Sequence, residues 1–228
     1  MTNSHYKKMS RHTAKASPVS RSQATRDLIL ATAMRNFAEK GYEGARVGDM
    51  AEELGIAKGS IFQHFGSKES LFLEVYKKAT RSFAAYLDVP DKVREGGFFE
   101  VLRYWLVHTE HMVQEDWIPY RVQLLGNYGA SLTLKREINR FLLAEDPFGR
   151  VAFVQFGLAR GELRDDLHIE TIVSFVDWTV ERFQDALLVE ELDPGLFRRP
   201  GHLAEKQTRI QQFLNVLRRA VGTEREGQ

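Results

Sequence analysis

The chain has 228 residues, of which 43% are hydrophobic and 28% are charged, proportions that are ordinary for a soluble globular protein. It contains no cysteine, which excludes a disulfide framework, a thiolate nucleophile and a Cys-based zinc site. No apolar run approaches the ~18 residues that span a bilayer, and no apolar stretch follows the basic N-terminus. We therefore expect a cytoplasmic protein without a signal peptide or a membrane partner.

The net charge of +1 conceals an asymmetry along the chain. Residues 1–80 hold 13 Lys and Arg against 8 Asp and Glu, whereas residues 81–228 have a net charge of −4. A basic front half suggests that this part meets a polyanion. Residues 1–21 have few large apolar side chains and no acid, and we interpret them as a disordered basic arm that contacts DNA or remains a solvated tail. Its basic residues are Lys7, Lys8, Arg11, Lys15 and Arg21.

Beyond the arm, the sequence predicts helices almost throughout, with no strand alternation and no internal repeat. Apolar residues over Leu30–Ala38 recur at helical spacing, and Gly41 would end that helix because glycine accepts a positive φ. Ser67 is a favourable N-cap for a long helix. Glycine and proline mark the other breaks. The further helices are predicted at about 47–54, 58–64, 67–87, 98–115, 119–127, 131–145, 147–160, 168–191 and 203–221.

The most informative stretch is Val47–Phe65, in which two short helices are joined by a tight turn. Ala51 is small enough for the helices to cross closely, and Gly55 supplies the left-handed backbone of the turn. This spacing is typical of a helix-turn-helix, although ordinary helical hairpins also show it. The side chains expected to lock the crossing are Met50, Leu54, Ile56 and Ile61.

The flanking residues resemble the TetR family of transcription regulators from about Arg26 to Tyr76. Ala45-Arg46 depart from that family's pattern, which usually has a Thr or Ser cap here, and the missing cap should cost on the order of 1 kcal/mol. Phe62 stands where the family usually has Tyr. The segments that resemble the end of the first helix, the second helix, the recognition helix and the start of the fourth are Phe37–Glu43, Val47–Ala51, Lys58–Phe65 and Gly66–Phe72.

The resemblance implies an all-α protein of about nine helices in two parts. A helix-turn-helix DNA-binding domain would occupy residues 22–80, and a ligand-binding and dimerisation domain residues 81–228. The implied function is that of a repressor which binds a palindromic operator in double-stranded DNA as a homodimer. A small apolar or aromatic ligand would release it.

Eight residues are candidate DNA contacts. Gln63 would take adenine through two hydrogen bonds, and Lys58 would donate to guanine. Gly59 would let the backbone approach closely, and Phe62 would pack on a sugar or a thymine methyl group. The alternative is a solvated face. The groups placed to touch phosphate, which positions the protein without reading sequence, are Arg46, Lys58, Ser60, His64 and Lys68.

The last two predicted helices carry apolar stripes. We expect them to pair across a two-fold axis as a four-helix bundle that joins two protomers. The alternative is that both stripes are buried inside one protomer. The stripes are Ile169, Ile172, Val173, Val176, Val180 and Phe183 in one helix, and Leu203, Ile210, Phe213, Leu214, Leu217 and Val221 in the other.

The middle of the chain is rich in aromatic side chains, which favours an apolar ligand pocket with a few polar groups. For each residue, core packing is the alternative. Tyr104, His108, His111 and Gln114 are possible polar groups. The candidate pocket residues are Trp105, His108, Met112, Tyr128, Phe156 and Trp178.

A rival hypothesis is a small metal-dependent helical enzyme. His108 and His111 are three residues apart on a predicted helix, with Glu110 and Glu115 nearby. However, the sequence fixes no third ligand, and it lacks the hydrolase, P-loop and dinucleotide-binding motifs. We therefore expect no catalytic residue, metal or cofactor. A third possibility keeps the DNA binding but makes the protein an activator or a nucleoid-type binder.

Overall fold

A computed structural model describes residues 18–84, 88–193 and 206–223 of the chain. Within these ranges there is no sheet, only one isolated β-bridge between Leu163 and Gly222. No helix there is long and apolar enough to cross a membrane. The helices are α1 (Pro18–Gly44), α2 (Val47–Glu53), α3 (Lys58–Phe65), α4 (Lys68–Ala84), α5 (Asp91–Glu95), α6 (Phe98–Glu115), α7 (Trp117–Tyr128), α8 (Leu132–Glu145), α9 (Arg150–Ala159), α10 (Ile169–Leu188), a 3₁₀-helix (Glu190–Leu192) and α11 (Lys206–Val221).

The all-α class is confirmed, and most of the predicted helices end within a few residues of the observed ones. Gly41 interrupts α1 with a φ of 72°, as its position predicts. The Ser67 hydroxyl accepts a hydrogen bond from the Ser70 N–H at 3.0 Å, so the predicted cap of α4 is also present.

Two local predictions were wrong. The stretch 88–97, which falls between two predicted helices and was therefore expected to be a loop, contains α5, whose first residue Asp91 is an acid that suits a helix N-terminus. Residues 18–21, expected in a disordered arm, belong to α1, which starts at Pro18, where a missing N–H removes no intrahelical bond. The described residues hold eleven α-helices rather than about nine. Residues 1–17 of the predicted arm, and the start of the last predicted helix, lie outside the described ranges.

The first hydrophobic core joins α1–α4 to α7 and α8. Phe72 of α4 is buried in the same cluster as Val122 of α7 and Ile138 of α8. Gly126 lets α7 lie against α4, because a methyl group there would come within 2.4 Å of the Tyr76 ring. The predicted domain boundary near residue 80 therefore falls inside α4, and packing is continuous across it.

The second core joins α6, α9, α10 and α11, and it takes up much of the two stripes predicted to face a partner protomer. Phe213 stacks on Phe183 with ring centroids 4.0 Å apart. An apolar stripe packs on whichever helices lie nearest, and here α6 and α9 of the same chain cover it, which corrects that part of the prediction. The stripe residues buried within the protomer are Ile172, Val176, Ile210, Leu214, Leu217 and Val221.

Candidate DNA interface and ligand cavity

Helices α2 and α3 form the predicted helix-turn-helix. Gly55 lies between them with a φ of 63°, and the Ile56 N–H donates to the Ala51 carbonyl at 3.0 Å, which closes the turn. Met50 and Ile61 are fully buried at the crossing, whereas Leu54 and Ile56 are half-buried. The crossing therefore fixes one face of α3 and leaves the opposite face to solvent.

The solvent face of α3 carries the residues predicted to touch DNA bases. Lys58, Gly59, Phe62 and Gln63 are exposed, while Ser60 and His64 are half-buried. Apart from its chain neighbours and the backbone of its own helix, no atom of the described residues lies within 4 Å of the position where a side chain at Gly59 would begin. The fold itself therefore does not require glycine there, and the space is open to a surface that approaches α3 closely.

The other two predicted contacts lie beside this face. Arg46 is exposed at the N-cap of α2, and its side chain makes no capping hydrogen bond, so the predicted absence of a cap is confirmed. Lys68, the first residue of α4, is more constrained. Its Nζ lies 4.7 Å from the Tyr42 ring centroid and 3.4 Å from the Glu43 carbonyl oxygen, which holds it against the end of α1.

Sequence reasoning missed a residue that sets the position of α3. The Arg26 guanidinium of α1 donates to the His64 carbonyl at 3.2 Å and to the Glu74 carboxylate at 3.0 Å. It also lies over the Phe65 ring, 4.4 Å from the centroid. Arg26 thus ties the end of α3 to α1 and α4 through contacts between residues that are far apart in sequence.

A cavity of about 160 Å³ lies in the C-terminal part of the chain, between the two cores. Its apolar wall comes mainly from α6, α9 and α10, and its polar groups come mainly from α7 and α10. The apolar lining includes Leu102, Trp105, Phe153, Val154, Val173 and Val176, and the polar lining includes Tyr120, Gln123, Asn127, Arg150, Asp177, Glu181, Gln184 and Asp185.

Of the predicted pocket residues, Trp105 lies on the wall of this cavity. Phe156 lines a neighbouring hollow, which Trp105 also lines. The other four are not on the cavity wall, which corrects their placement. Met112 packs beside Phe83 and Tyr120. His108 is exposed, and its Nδ1 is 2.8 Å from the Tyr104 carbonyl. Tyr128 and Trp178 are also exposed, and Trp178 points away from the apolar side of α10.

Three carboxylates at four-residue spacing on α10 are the polar feature that sequence reasoning missed. Asp177 receives a hydrogen bond from Arg150 at 2.7 Å. Asp185 is buried and accepts hydrogen bonds from the hydroxyls of Tyr120 and Tyr128, each at 2.8 Å. Burial raises the pKa of both aspartates. Their spacing was visible in the sequence, but their partners on α7 and α9 were not.

Glu181 lies between the two aspartates, at the accessible rim of the cavity, and accepts a hydrogen bond from the Asn127 amide. Loss of hydration among the surrounding helices, followed by the negative charges of Asp177 and Asp185, raises the pKa of Glu181 to about 7. This carboxyl therefore changes its charge near neutral pH.

The histidines of the rival hypothesis do not come together with other ligands. His108 stacks on Tyr104, and His111 lies on the surface 3.2 Å from Glu115. Within the described ranges, no group of three or more His, Asp or Glu side chains is arranged to hold a metal ion.

The outer faces of α10 and α11 expose large apolar side chains. Trp178 is 69% exposed, and Phe175, one turn before it, is 39% exposed. Val216 on α11 is 67% exposed. These side chains point away from the second core, so they are free to meet another surface.

Comparison with known proteins gives a family match for the N-terminal helices and relatives that cover most of the chain. Residues 29–75 match a family model described as bacterial regulatory proteins, tetR family. The repressor AcnR of Corynebacterium diphtheriae is 31% identical over 159 residues, which cover 69% of this chain and 78% of that protein. AcnR of Corynebacterium glutamicum is 30% identical over 172 residues, which cover 75% of this chain and 86% of that protein.

Solved structures share the fold at lower identity. A tetR-family regulator from Shewanella sp. PV-4 superposes with a TM-score of 0.64 at 18% identity, covering 87% of this chain and 98% of that one. FadR from Bacillus subtilis, crystallised with stearoyl-CoA, gives a TM-score of 0.60 at 16% identity, covering 83% of this chain and 97% of that one. The likeness therefore extends over both cores.

Proposed function

Because the chain belongs to the TetR family and is a DNA-binding transcriptional regulator, we propose that it is a repressor whose homodimer binds a palindromic operator and is released by a small molecule. The observation that carries the proposal is the exposed face of α3 next to a buried, locked crossing with α2. Residues 22–80 would hold the DNA-reading helices, and residues 81–228 the effector cavity and the dimer interface. A regulator of bacterial DNA works in the cytoplasm.

The exposed face of α3 has the composition that base reading needs. Gln63 offers a donor and an acceptor to the edge of adenine, and Lys58 offers a donor to guanine. Gly59 leaves room for the DNA, while Arg46 and Lys68 flank the face with positive charge. Two copies of α3 would enter successive major grooves about 34–36 Å apart.

A genome-wide map of the bound protein, followed by footprinting of the purified protein, tests the proposal. We expect a few strong sites, each protected symmetrically over two half-sites one helical turn apart, and derepression of the adjacent genes when the protein is removed. Uniform binding along the chromosome would instead indicate a nucleoid-type protein. Loss of expression on removal would indicate an activator.

Substitutions at the DNA face should separate base contacts from phosphate contacts. Gln63→Ala should relax the preference at one base pair of each half-site, at a cost of roughly 1–3 kcal/mol. Lys68→Ala should weaken binding about equally for all sequences and reduce the salt slope by roughly 1 for each phosphate that the protein no longer neutralises. Mobility-shift titrations over a range of salt, with operators altered one base pair at a time, measure both effects. Wild-type binding by both variants would exclude α3 as the recognition helix.

The cavity is connected to the DNA-reading helices through α7. The Tyr76 hydroxyl of α4 donates to the Asn127 side-chain oxygen at 3.1 Å, and the Asn127 amide in turn donates to Glu181. Tyr76 belongs to the first core, which also contains α2 and α3. A ligand that engages Glu181 would compete with the Asn127 amide for that carboxylate and shift α7 against α4. It would release DNA to the extent that it binds the DNA-incompetent arrangement more tightly.

A further inference from the structure

The cavity wall carries more negative than positive charge, and Arg150, its one cation among the described residues, is already engaged. Its guanidinium donates to Asp177 at 2.7 Å, to Asp146 at 3.3 Å and to the Leu142 carbonyl at 3.1 Å. The positive charge of Arg150 therefore neutralises the negative charge of Asp177, and Asp146 also contacts the guanidinium. Three of its five N–H groups are used in these hydrogen bonds, and its positive charge is already offset by the two aspartates.

The other two carboxylates of α10 lack a comparable partner. Among the described residues, neither Glu181 nor Asp185 forms an ion pair. Glu181 accepts from a neutral amide, and Asp185 accepts from two tyrosine hydroxyls. Asp185 is buried without a positive partner, which is costly, and Glu181 lies beside it at the accessible rim of the cavity. A cation placed between them would lower that cost.

A second observation, independent of the acids, also indicates a ligand. Gln123 lines the cavity and is only 8% exposed, yet its Nε2 finds no hydrogen-bond acceptor among the described residues. Most buried polar groups in native proteins are hydrogen-bonded, and each exception needs an explanation. The unpaired amide indicates that the cavity is built to receive a molecule with polar groups.

Taking the cavity to be the effector site of the proposed function, we propose that it binds a small amphipathic organic cation, whose positive group lies between the Glu181 and Asp185 carboxylates. The apolar part of the cation would pack on the opposite wall, which Leu102, Phe153 and Val176 help to form. A polar atom on the ligand would accept a hydrogen bond from the Gln123 Nε2. The volume of about 160 Å³ resembles that of engineered cavities of roughly 150 Å³ that accept benzene, so the apolar part is about one ring in size.

The test compares three probes that share a phenyl ring and differ in charge: 2-phenylethylamine, 2-phenylethanol and 3-phenylpropanoate. Each is titrated into the full-length protein by calorimetry and by its effect on the melting temperature. We expect the amine to bind and to raise the melting temperature, and the other two to bind at least about tenfold more weakly. The amine should bind at least about tenfold more weakly to Glu181→Gln and to Asp185→Asn than to the wild type.

The matched control is Glu170→Gln, which removes the same charge from an exposed position on the same helix and should leave amine binding unchanged. A pH series adds a readout that general destabilisation would not move. The pKa of Glu181 is about 7, so wild-type affinity for the amine should rise between pH 6 and pH 8, and this rise should be absent in Glu181→Gln. The charged and titratable groups near Glu181 are Asp177 and Asp185 on α10, Lys135 on α8, Arg150 on α9, Tyr120 on α7 and Tyr76 on α4.

Several outcomes would overturn the proposal. They are equal or tighter binding of the carboxylate, no binding of the amine at about 10 mM, or amine binding that is insensitive to both acid substitutions. Operator binding without any ligand is measured in the same preparations. If the wild type without ligand binds no operator, that result would count against the proposed function. Intact operator binding without amine recognition would count only against the cationic ligand.

Discussion

Trp178→Glu should convert the protein to a monomer and lower its operator affinity by roughly 10²–10⁴-fold, because the two half-site contacts are no longer linked. Trp178 is 69% exposed on the outer face of α10, one turn from the exposed Phe175. In a two-fold dimer an interface residue appears in both copies. Two glutamates would then replace two tryptophans in a buried contact, which leaves unpaired charge there.

The measurement is the mass in sedimentation, which should fall from twice 26.2 kDa to 26.2 kDa, together with mobility-shift titration of the operator. Leu143→Glu is the matched control, since Leu143 is 81% exposed on α8 and away from the outer face of α10, where we place the dimer interface, and this variant should stay dimeric. Leu143→Glu should melt near the wild-type temperature, whereas Trp178→Glu should remain folded, because the side chain is in no core, but melt lower since the monomer lacks the stabilisation that its partner supplies. An intact Trp178→Glu dimer would move the interface to another surface.

The same reasoning shows why the sequence-based choice of interface residues would mislead. Leu217 is 2% exposed inside the second core, and Phe213 stacks on Phe183 of the same protomer. Replacing them with glutamate would damage the protomer, and the resulting monomer would not identify the interface. Periodicity alone locates an apolar face but does not say which neighbour covers it.

What the sequence did predict depends on local signals. The α2–α3 crossing follows from Gly55, Met50 and Ile61, whose roles are set by residues close to each other along the chain. Helix ends at Gly41 and Ser67 are likewise local. Arg26 had no such signal, because its contacts with His64 and Glu74 join residues 38 and 48 positions away.

The cavity was predicted less well because helices far apart in sequence build it. Aromatic content pointed to Trp105, which lines the wall, and also to Trp178, which does not. Trp178 lies two residues from both Val176 and Val180, which belong to the apolar stripe of α10. Two residues are about half a helical turn, so the sequence already indicated that Trp178 points away from the stripe. The acids of α10 were visible too, but their meaning depends on Arg150 and Tyr120 arriving from other helices.

Removal of the C-terminal part should leave the DNA-reading helices unfolded. The fragment 18–84 keeps α1–α4 but lacks Val122 and Ile138, which are both 0% exposed in the first core. A chain of that size is marginally stable even with its core complete. We therefore expect no cooperative thermal transition for this fragment in circular dichroism. Melting as cooperative and as stable as that of the whole protein would contradict the shared core.

Ile138→Ala tests the same point in the full chain and bears on how the switch works. Deleting a fully buried isoleucine side chain should cost about 2–5 kcal/mol in the free energy of unfolding. The exposed Leu143→Ala on the same helix should change it by no more than about 0.5 kcal/mol. If the core is shared, hydrogen exchange in α1 and α4 should accelerate in Ile138→Ala although the substitution lies in α8. Unchanged protection there would mean that α1–α4 fold independently, and a ligand would then have to act on DNA binding through the relative position of two rigid parts rather than through one continuous core.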